Sequence, residues 1–143
     1  MKRFLLFASL VLVGFVSSCK KDPKPEELII GKWSVTKLIV DSEDVVATDP
    51  VFETRVELEF LNNGSLVFDI RDTDYTVTPV EVEEYSVSGS YTWENDKITL
   101  TIDTGGDILT VTGNVEVTKT RLVITATSGD IIDFFSILEA VKL

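Results

Sequence analysis

Carboxylates are the side chains that could act together as a chemical site in this sequence. They form three groups along the chain: Asp69, Asp72 and Asp74; Glu81, Glu83 and Glu84; and Asp103 and Asp107. Two carboxylates about 5 to 9 Å apart can hydrolyse a glycosidic bond, and oxygen ligands can bind calcium. No pair is singled out here by its spacing, and Asp72-Thr73-Asp74 lacks the glycine and the distal glutamate of an EF-type loop. We therefore predict no catalytic residue and no metal site.

The absence of histidine narrows the chemistry further. The 143 residues contain no histidine, which is the commonest general base and the commonest metal ligand in proteins. The sequence also lacks a phosphate-binding glycine loop, a Gly-x-Ser-x-Gly nucleophile motif and a dinucleotide-binding fingerprint. We predict that the protein is not an enzyme and that it needs no cofactor.

Cys19, the only cysteine, follows an apolar segment at the start of the chain. Met1-Lys2-Arg3 is a short basic region and Phe4 to Val16 carries no charge, which is the pattern of a signal peptide. The run is shorter than the roughly 20 apolar residues of a membrane-spanning helix, and a buried helix or a short membrane anchor is the alternative. Val16-Ser17-Ser18-Cys19 resembles the lipobox of bacterial lipoproteins.

The lipobox resemblance implies that residues 1–18 are removed and that the thiol of Cys19 takes a diacylglycerol. Several acyl chains on one residue anchor a protein stably, whereas a single chain binds a bilayer only marginally. The membrane is therefore an expected partner through Cys19. Because there is no second cysteine, we expect no internal disulfide.

Residues 19–27 are expected to form a polar tether, extended and stiffened by Pro23 and Pro25. The charged residues just after Cys19 resemble the surface-export signals of lipoproteins from the Bacteroides group. We therefore expect a location at the outer membrane, on either its periplasmic or its cell-surface face. Loss of Lys2 and Arg3 takes the net charge from −11 to −13, which argues against nucleic acid and anionic lipid headgroups as partners of the folded part.

From Gly31 onward, apolar and polar residues alternate with a period of two, which predicts β-strands separated by short turns. The eight predicted strands are Lys32–Val40, Thr54–Leu61, Ser65–Ile70, Val80–Trp93, Ile98–Asp103, Ile108–Thr118, Thr120–Thr127 and Ile131–Val141. Hairpin-length connections predict antiparallel neighbours in an up-and-down order. Such a meander with one apolar face closes into a barrel, which removes exposed edges. We therefore predict an all-β domain over residues 28–143.

Some details of this domain depend on weaker patterns. The phase slip near Glu83-Glu84 predicts a β-bulge, and two long loops are expected at Asp41–Glu53 and Arg71–Pro79. The last run, residues 131–141, alternates poorly around Phe134-Phe135. Its β-branched and aromatic content favours a strand, with a short helix as the alternative.

The order of features resembles the lipocalin-like (calycin) domains of bacterial lipoproteins. The matching segments are Gly31-Lys32-Trp33, Leu58-Glu59-Phe60-Leu61-Asn62-Asn63-Gly64, Gly89-Ser90-Tyr91-Thr92-Trp93 and Lys97-Ile98-Thr99-Leu100. The resemblance implies that Gly31 and Trp33 form a structural signature, with Trp33 across the closed end of the barrel. It also implies a basic residue late in the chain that stacks on this tryptophan. Arg121 is the only late arginine and is the candidate.

Two functions of different class follow from a barrel of this kind. The inward-facing aromatic residues are candidates to line a cavity for a small apolar molecule; they are Phe60, Phe68, Tyr85, Tyr91 and Trp93. The Asp41–Glu53 loop would then be a lid. Alternatively, these residues fill the core, and the lipoprotein contacts another protein or a glycan through its loops and outer surface.

Overall fold

The computed structural model of the protein describes residues 22–46, 49, 51–129 and 135–143. Cys19 and the signal segment lie outside the described residues, as does the first part of the last predicted strand. Within the described part, the elements are α1 (Pro25–Leu28), β1 (Gly31–Val40), β2 (Glu43–Asp44), β3 (Phe52–Phe60), β4 (Ser65–Asp74), β5 (Glu81–Glu94), β6 (Lys97–Asp103), β7 (Ile108–Val117), β8 (Arg121–Gly129) and β9 (Ile137–Lys142). In the part of the chain described here, no helix is both long enough and apolar enough to cross a bilayer.

The strands form one closed antiparallel barrel. Each of β3 to β9 pairs with its neighbour in sequence, β1 pairs with β3, and β9 returns to pair with β1. Eight strands build the wall, while β2 is a two-residue strand hydrogen-bonded to the end of β1. Every pairing is antiparallel. Hairpin-length connections give this direction to most neighbours in sequence, and the closing pair of β9 with β1 is antiparallel because the up-and-down wall has an even number of strands. The predicted eight-stranded up-and-down barrel is confirmed.

The period of two in the sequence produces the core directly. Residues opposite each other in an antiparallel ladder face the same side of the sheet, and the buried positions recur at every second residue of the strands. The largest fully buried side chains come from around the barrel: Trp33, Phe60, Phe135, Ile29, Leu58, Leu66, Ile98, Leu100, Leu122, Ile124, Leu138 and Val111. The resulting core is one connected apolar cluster.

Gly89 allows neighbouring strands to approach closely. A Cβ atom at Gly89 would lie 2.2 Å from the backbone oxygen of Thr101 on β6. Real Cβ atoms do not approach a carbonyl oxygen so closely, so only glycine permits this crossing. An inward-facing glycine at this position therefore accommodates the curvature of a small barrel.

Two predictions about β4 and β5 are wrong. No register shift interrupts the β4–β5 ladder, which runs from Ser65↔Ser90 to Asp74↔Glu81, so there is no bulge near Glu83-Glu84. The apparent phase slip arises because Val82 is an exposed residue on the outer face, 44% accessible, and not a core residue. In addition, β4 extends to Asp74, so the expected Arg71–Pro79 loop is shorter than predicted.

The two ends of the domain also differ in detail from expectation. Residues 25–28 form a helical turn, so the last three residues of the tether, 25–27, are not an extended spacer. At the other end, Ile137–Lys142 is a strand, which confirms that part of the prediction, whereas Phe135 precedes the strand as a fully buried residue. The predicted residues 131–134 lie outside the described residues.

Candidate functional site

Four of the five candidate cavity-lining residues are part of the packed core. Phe60 and Phe68 are buried, and Tyr91 and Trp93 are half-buried and pack against the core cluster. The rings of Phe60 and Tyr91 meet edge to face, with centroids 5.1 Å apart. The Tyr91 hydroxyl donates to the backbone oxygen of Leu61 at 2.7 Å, and burial raises the pKa of this tyrosine. These aromatic side chains fill the closed half of the barrel, where the Phe60 and Tyr91 rings contact each other and the Tyr91 hydroxyl has a backbone acceptor.

Tyr85, the fifth candidate, lies elsewhere. It faces inward opposite Ile70, but it is 49% exposed because it lies beyond the packed layers. Burial of its ring is the main cause that raises its pKa, with the nearby carboxylates of Asp72 and Glu83 as further causes. Tyr85 therefore belongs to the open end of the barrel.

Trp33 lies at the closed end of the barrel, where α1 leads into β1. Its side chain is fully buried and its Nε1–H donates to the backbone oxygen of Ile29 at 2.7 Å. Gly31 precedes it with a φ of +116°, a conformation that side chains other than glycine rarely adopt. A Cβ atom at Gly31 would also lie 3.0 Å from Nζ of Lys142. Both signature residues therefore serve the closure of this end.

The basic residue on the tryptophan is Lys142, and the candidate Arg121 is wrong. Nζ of Lys142 lies 4.3 Å from the centroid of the Trp33 ring and donates to the backbone oxygens of Ile30 and, at 3.3 Å, Leu28. Its partial burial lowers its pKa. Arg121 begins β8 on the outer face, because the next residue is the inward one, and it pairs there with Glu139 at 3.2 Å.

The open end carries a feature that the sequence did not suggest, which we call the distal ribbon. It consists of residues 52–56 of β3, 70–74 of β4 and 81–88 of β5. Pairing of β5 with β6 begins only at Gly89, and pairing of β3 with β1 ends at Glu57. In the described part of the chain, residues 52–56 and 81–88 therefore have a strand partner on one side only, which is β4, and the ribbon extends beyond the closed wall.

Exposed apolar side chains concentrate at this ribbon. Ten large hydrophobic side chains are exposed among the described residues, and six of them belong to the ribbon or its connections: Val51, Phe52, Tyr75, Val80, Val82 and Tyr85. Single exposed hydrophobic residues are normal, whereas a group of them marks an interaction surface. The distal ribbon is therefore the best candidate for such a surface.

The outer face of the ribbon forms an open groove with charged walls. A cavity of ≈450 Å³ is lined by Arg55, Glu57, Asp69, Ile70, Arg71, Glu84, Tyr85 and Ser86. Arg55 and Arg71 are directly opposite each other on β3 and β4, a like-charge arrangement that is unfavourable in isolation. Each arginine has its own carboxylate, since Arg55 pairs with Glu53 at 2.8 Å and Arg71 with Glu84 at 3.3 Å.

Tyr75 joins this network from the β4–β5 connection. Its hydroxyl donates to Glu53 Oε2 at 2.9 Å. Hydrogen bonds from Arg55 and then from Tyr75 lower the pKa of Glu53, and the same carboxylate raises the pKa of Tyr75. A second cavity of ≈270 Å³ adjoins these residues and is also lined by Val80 and Val82.

Several of the aspartates in the acidic groups of the sequence accept hydrogen bonds from nearby threonine and serine residues. Asp72 accepts from Thr54 Oγ1 at 2.6 Å, and Asp69 accepts from the hydroxyl of Ser86. Asp74 accepts from the hydroxyl and the amide of Thr76, which lower its pKa. Among the residues that the structure describes, no group of three acidic or cysteine side chains is placed to hold a metal ion.

A gap separates the upper halves of β1 and β3, where the two strands no longer pair. It contains a cavity of ≈310 Å³ whose apolar lining comes from Val35, Val46 and Val56. Val46 comes from the expected lid loop and packs against the core cluster. The gap therefore leads from the outer surface towards the interior of the barrel.

No family model matches the chain, and no curated protein matches it.

Proposed function

We propose that the protein is a lipid-anchored component of the bacterial cell envelope that binds another protein through its distal ribbon. The cluster of exposed apolar side chains at one end of an otherwise filled barrel carries this proposal. Aromatic side chains and arginines are enriched at protein interfaces, and the ribbon with its connections carries both. The proposal includes a lipocalin-like barrel and a location at the outer membrane.

The direction of the barrel relative to its anchor supports this function. The tether reaches the domain through α1, which leads into β1 at the closed end beside Trp33. The distal ribbon lies at the opposite end of the same strands. An anchor at Cys19 would therefore hold the closed end towards the membrane and present the ribbon away from it.

Site-specific photo-cross-linking in intact cells tests the proposal. A photoreactive residue at Val80, in the connection that leads into the ribbon, is compared with one at Lys119, an exposed position in the turn at the closed end. We expect discrete protein adducts at Val80 and none at Lys119. Adducts of equal yield at both positions, or at Lys119 alone, would contradict the proposal.

The gap between β1 and β3 favours a second candidate function, the binding of a small apolar molecule. Its ≈310 Å³ cavity is at the lower end of the roughly 300–1,000 Å³ that ligand pockets occupy. Native mass spectrometry of the protein purified from its own cells tests this function. A bound small molecule that is lost after Val46→Trp would support it, whereas a spectrum of the ligand-free chain alone would argue against it.

A further inference from the structure

We propose that the free edge of β5, residues Glu81–Ser88, binds an extended basic segment of a partner protein as an added antiparallel strand; this rests on the proposed function of the distal ribbon.

The edge has the geometry that strand addition needs. From Glu81 to Ser88, β5 pairs with β4 on one side, while β6 begins to pair only at Gly89. No described residue provides a strand partner on the other side. Eight residues of extended chain give an edge of roughly 26 Å, since a strand rises about 3.3 Å per residue. Outward backbone N–H and C=O groups along such an edge can bind another chain.

The edge is also regular. Its ladder with β4 has no register shift, and residues 81–88 contain no proline and no lysine. Bulges, prolines and lysines are the devices that usually protect an edge from pairing. Here the protection comes from three exposed carboxylates, those of Glu81, Glu83 and Glu84, of which Glu84 also pairs with Arg71.

Those carboxylates decide which strand can pair. A second copy of the protein would bring the same three carboxylates to the edge, and it would do so on a chain whose net charge is strongly negative. Unlike charges across an antiparallel pair stabilise it, whereas like charges destabilise it. The same side chains thus oppose self-association and favour a lysine- or arginine-rich segment.

The register predicts the order of side chains in the partner. Glu81, Glu83 and Tyr85 face one side of the ribbon, while Glu84 faces the other side with Val82. An antiparallel partner would therefore place an apolar or aromatic residue opposite Tyr85 and cations opposite the three glutamates. The capped octapeptide Ser-Val-Thr-Tyr-Lys-Lys-Val-Lys has this order and is the probe.

The experiment measures binding of the fluorescent octapeptide to the lipidated mature protein in a non-ionic detergent, by anisotropy. Hydrogen exchange then locates the bound peptide. We expect saturable binding, together with slower exchange of amides in residues 81–88. Two control peptides separate charge attraction from backbone pairing. One has glutamate in place of each lysine, and the other keeps the lysines but is N-methylated at alternate backbone amides. Neither control should bind, because the first is repelled and the second cannot form the ladder.

Matched protein variants test the role of the edge carboxylates. The triple variant Glu81→Gln, Glu83→Gln, Glu84→Gln should bind the octapeptide about tenfold more weakly, since three partly screened ion pairs are lost. The triple variant Glu26→Gln, Glu27→Gln, Glu116→Gln makes the same change in net charge at exposed positions outside the ribbon. It should bind with unchanged affinity.

Failure of the octapeptide to bind would overturn the inference, and so would three other outcomes. Equal binding of the N-methylated peptide would show charge attraction without strand pairing. Equal weakening by the two triple variants would show that the edge is not the site. A dimer of the protein that strengthens in the Glu81, Glu83, Glu84 variant would show that a second copy is the occupant. If cross-links form at Val80 but the octapeptide does not bind, this inference fails alone; if Val80 gives no adduct, the proposed function fails.

Discussion

Replacement of Trp33 by alanine tests the closed end of the barrel. The side chain is fully buried, its indole N–H donates to Ile29 at 2.7 Å, and the ammonium of Lys142 lies 4.3 Å from the ring centroid. Truncation of a buried tryptophan to alanine costs about 3–5 kcal/mol. Loss of the cation–π contact accounts for about 0.5–1 kcal/mol, so we expect a total loss of about 4 kcal/mol, since such contributions do not simply add.

Urea denaturation of the mature chain carrying Cys19→Ser, which needs no detergent, is a suitable assay. Far-ultraviolet circular dichroism reports the strands without depending on the tryptophan that is replaced. With an m-value of about 2 kcal/mol per molar urea, a loss of about 4 kcal/mol lowers the midpoint by about 2 M. A midpoint shift below about 0.5 M at an unchanged m-value would show that Trp33 is not in the core.

Two further variants separate the contributions at this site. Trp33→Phe keeps an aromatic ring but leaves the buried oxygen of Ile29 without its donor, so it should cost about 1–3 kcal/mol. Lys142→Met keeps most of the apolar stem and removes the cation over the ring, so it should cost about 1 kcal/mol or less. If Lys142→Met were as destabilising as Trp33→Ala, the packing of the indole would not be the main source of stability at this end.

Three other predictions concern separate parts of the molecule. Gly89→Ala should destabilise the barrel by about 1–3 kcal/mol or more in the same assay, because its Cβ would overlap a carbonyl of β6; Gly106→Ala, where nothing lies within 4 Å of the added carbon, should have little effect. Arg55→Gln should raise the pKa of Glu53, which Arg55 holds low, in a carboxyl-carbon NMR titration. Because a lowered carboxyl pKa stabilises the fold above its unfolded value and loses that effect as the pH falls through the folded value, the stability deficit of Arg55→Gln should be present at neutral pH and vanish in acid. Finally, labelled palmitate should enter the protein in its own cells and be absent from Cys19→Ser; uptake by both forms would refute attachment at the thiol.

The barrel was predictable because its strands have one apolar face. In β6 and β8 the inward positions Ile98, Leu100, Leu122 and Ile124 are all fully buried, and their spacing of two is visible in the sequence. The inward position of Lys142 was also predictable from the spacing of two, since Lys142 continues the inward series of Leu138 and Ala140. Arg121, the residue that the resemblance suggested, has the opposite parity and lies on the outer face.

The distal ribbon was not predictable from hydrophobic periodicity, because polar and apolar residues occur together on both faces of its strands. Asp72 and Asp74 face inward with Glu83, yet they remain accessible to water beyond the packed layers. A strand that is not buried has no reason to alternate in hydrophobicity. The available signal was length: β5 was predicted to be much longer than β6, and a strand longer than its neighbour must extend past it.

The pairing of β1 with β9 has a consequence for engineering. Trp33 lies opposite Lys142, and the amide of Leu143 donates to the oxygen of Lys32 at 3.0 Å. A short linker could therefore join the last strand to the first, and the chain could be reopened at the exposed Gly105-Gly106 turn without breaking the wall. Such a circular permutant would keep the same barrel but move its point of attachment to the opposite rim, so that an anchored molecule would stand upside down on the bilayer.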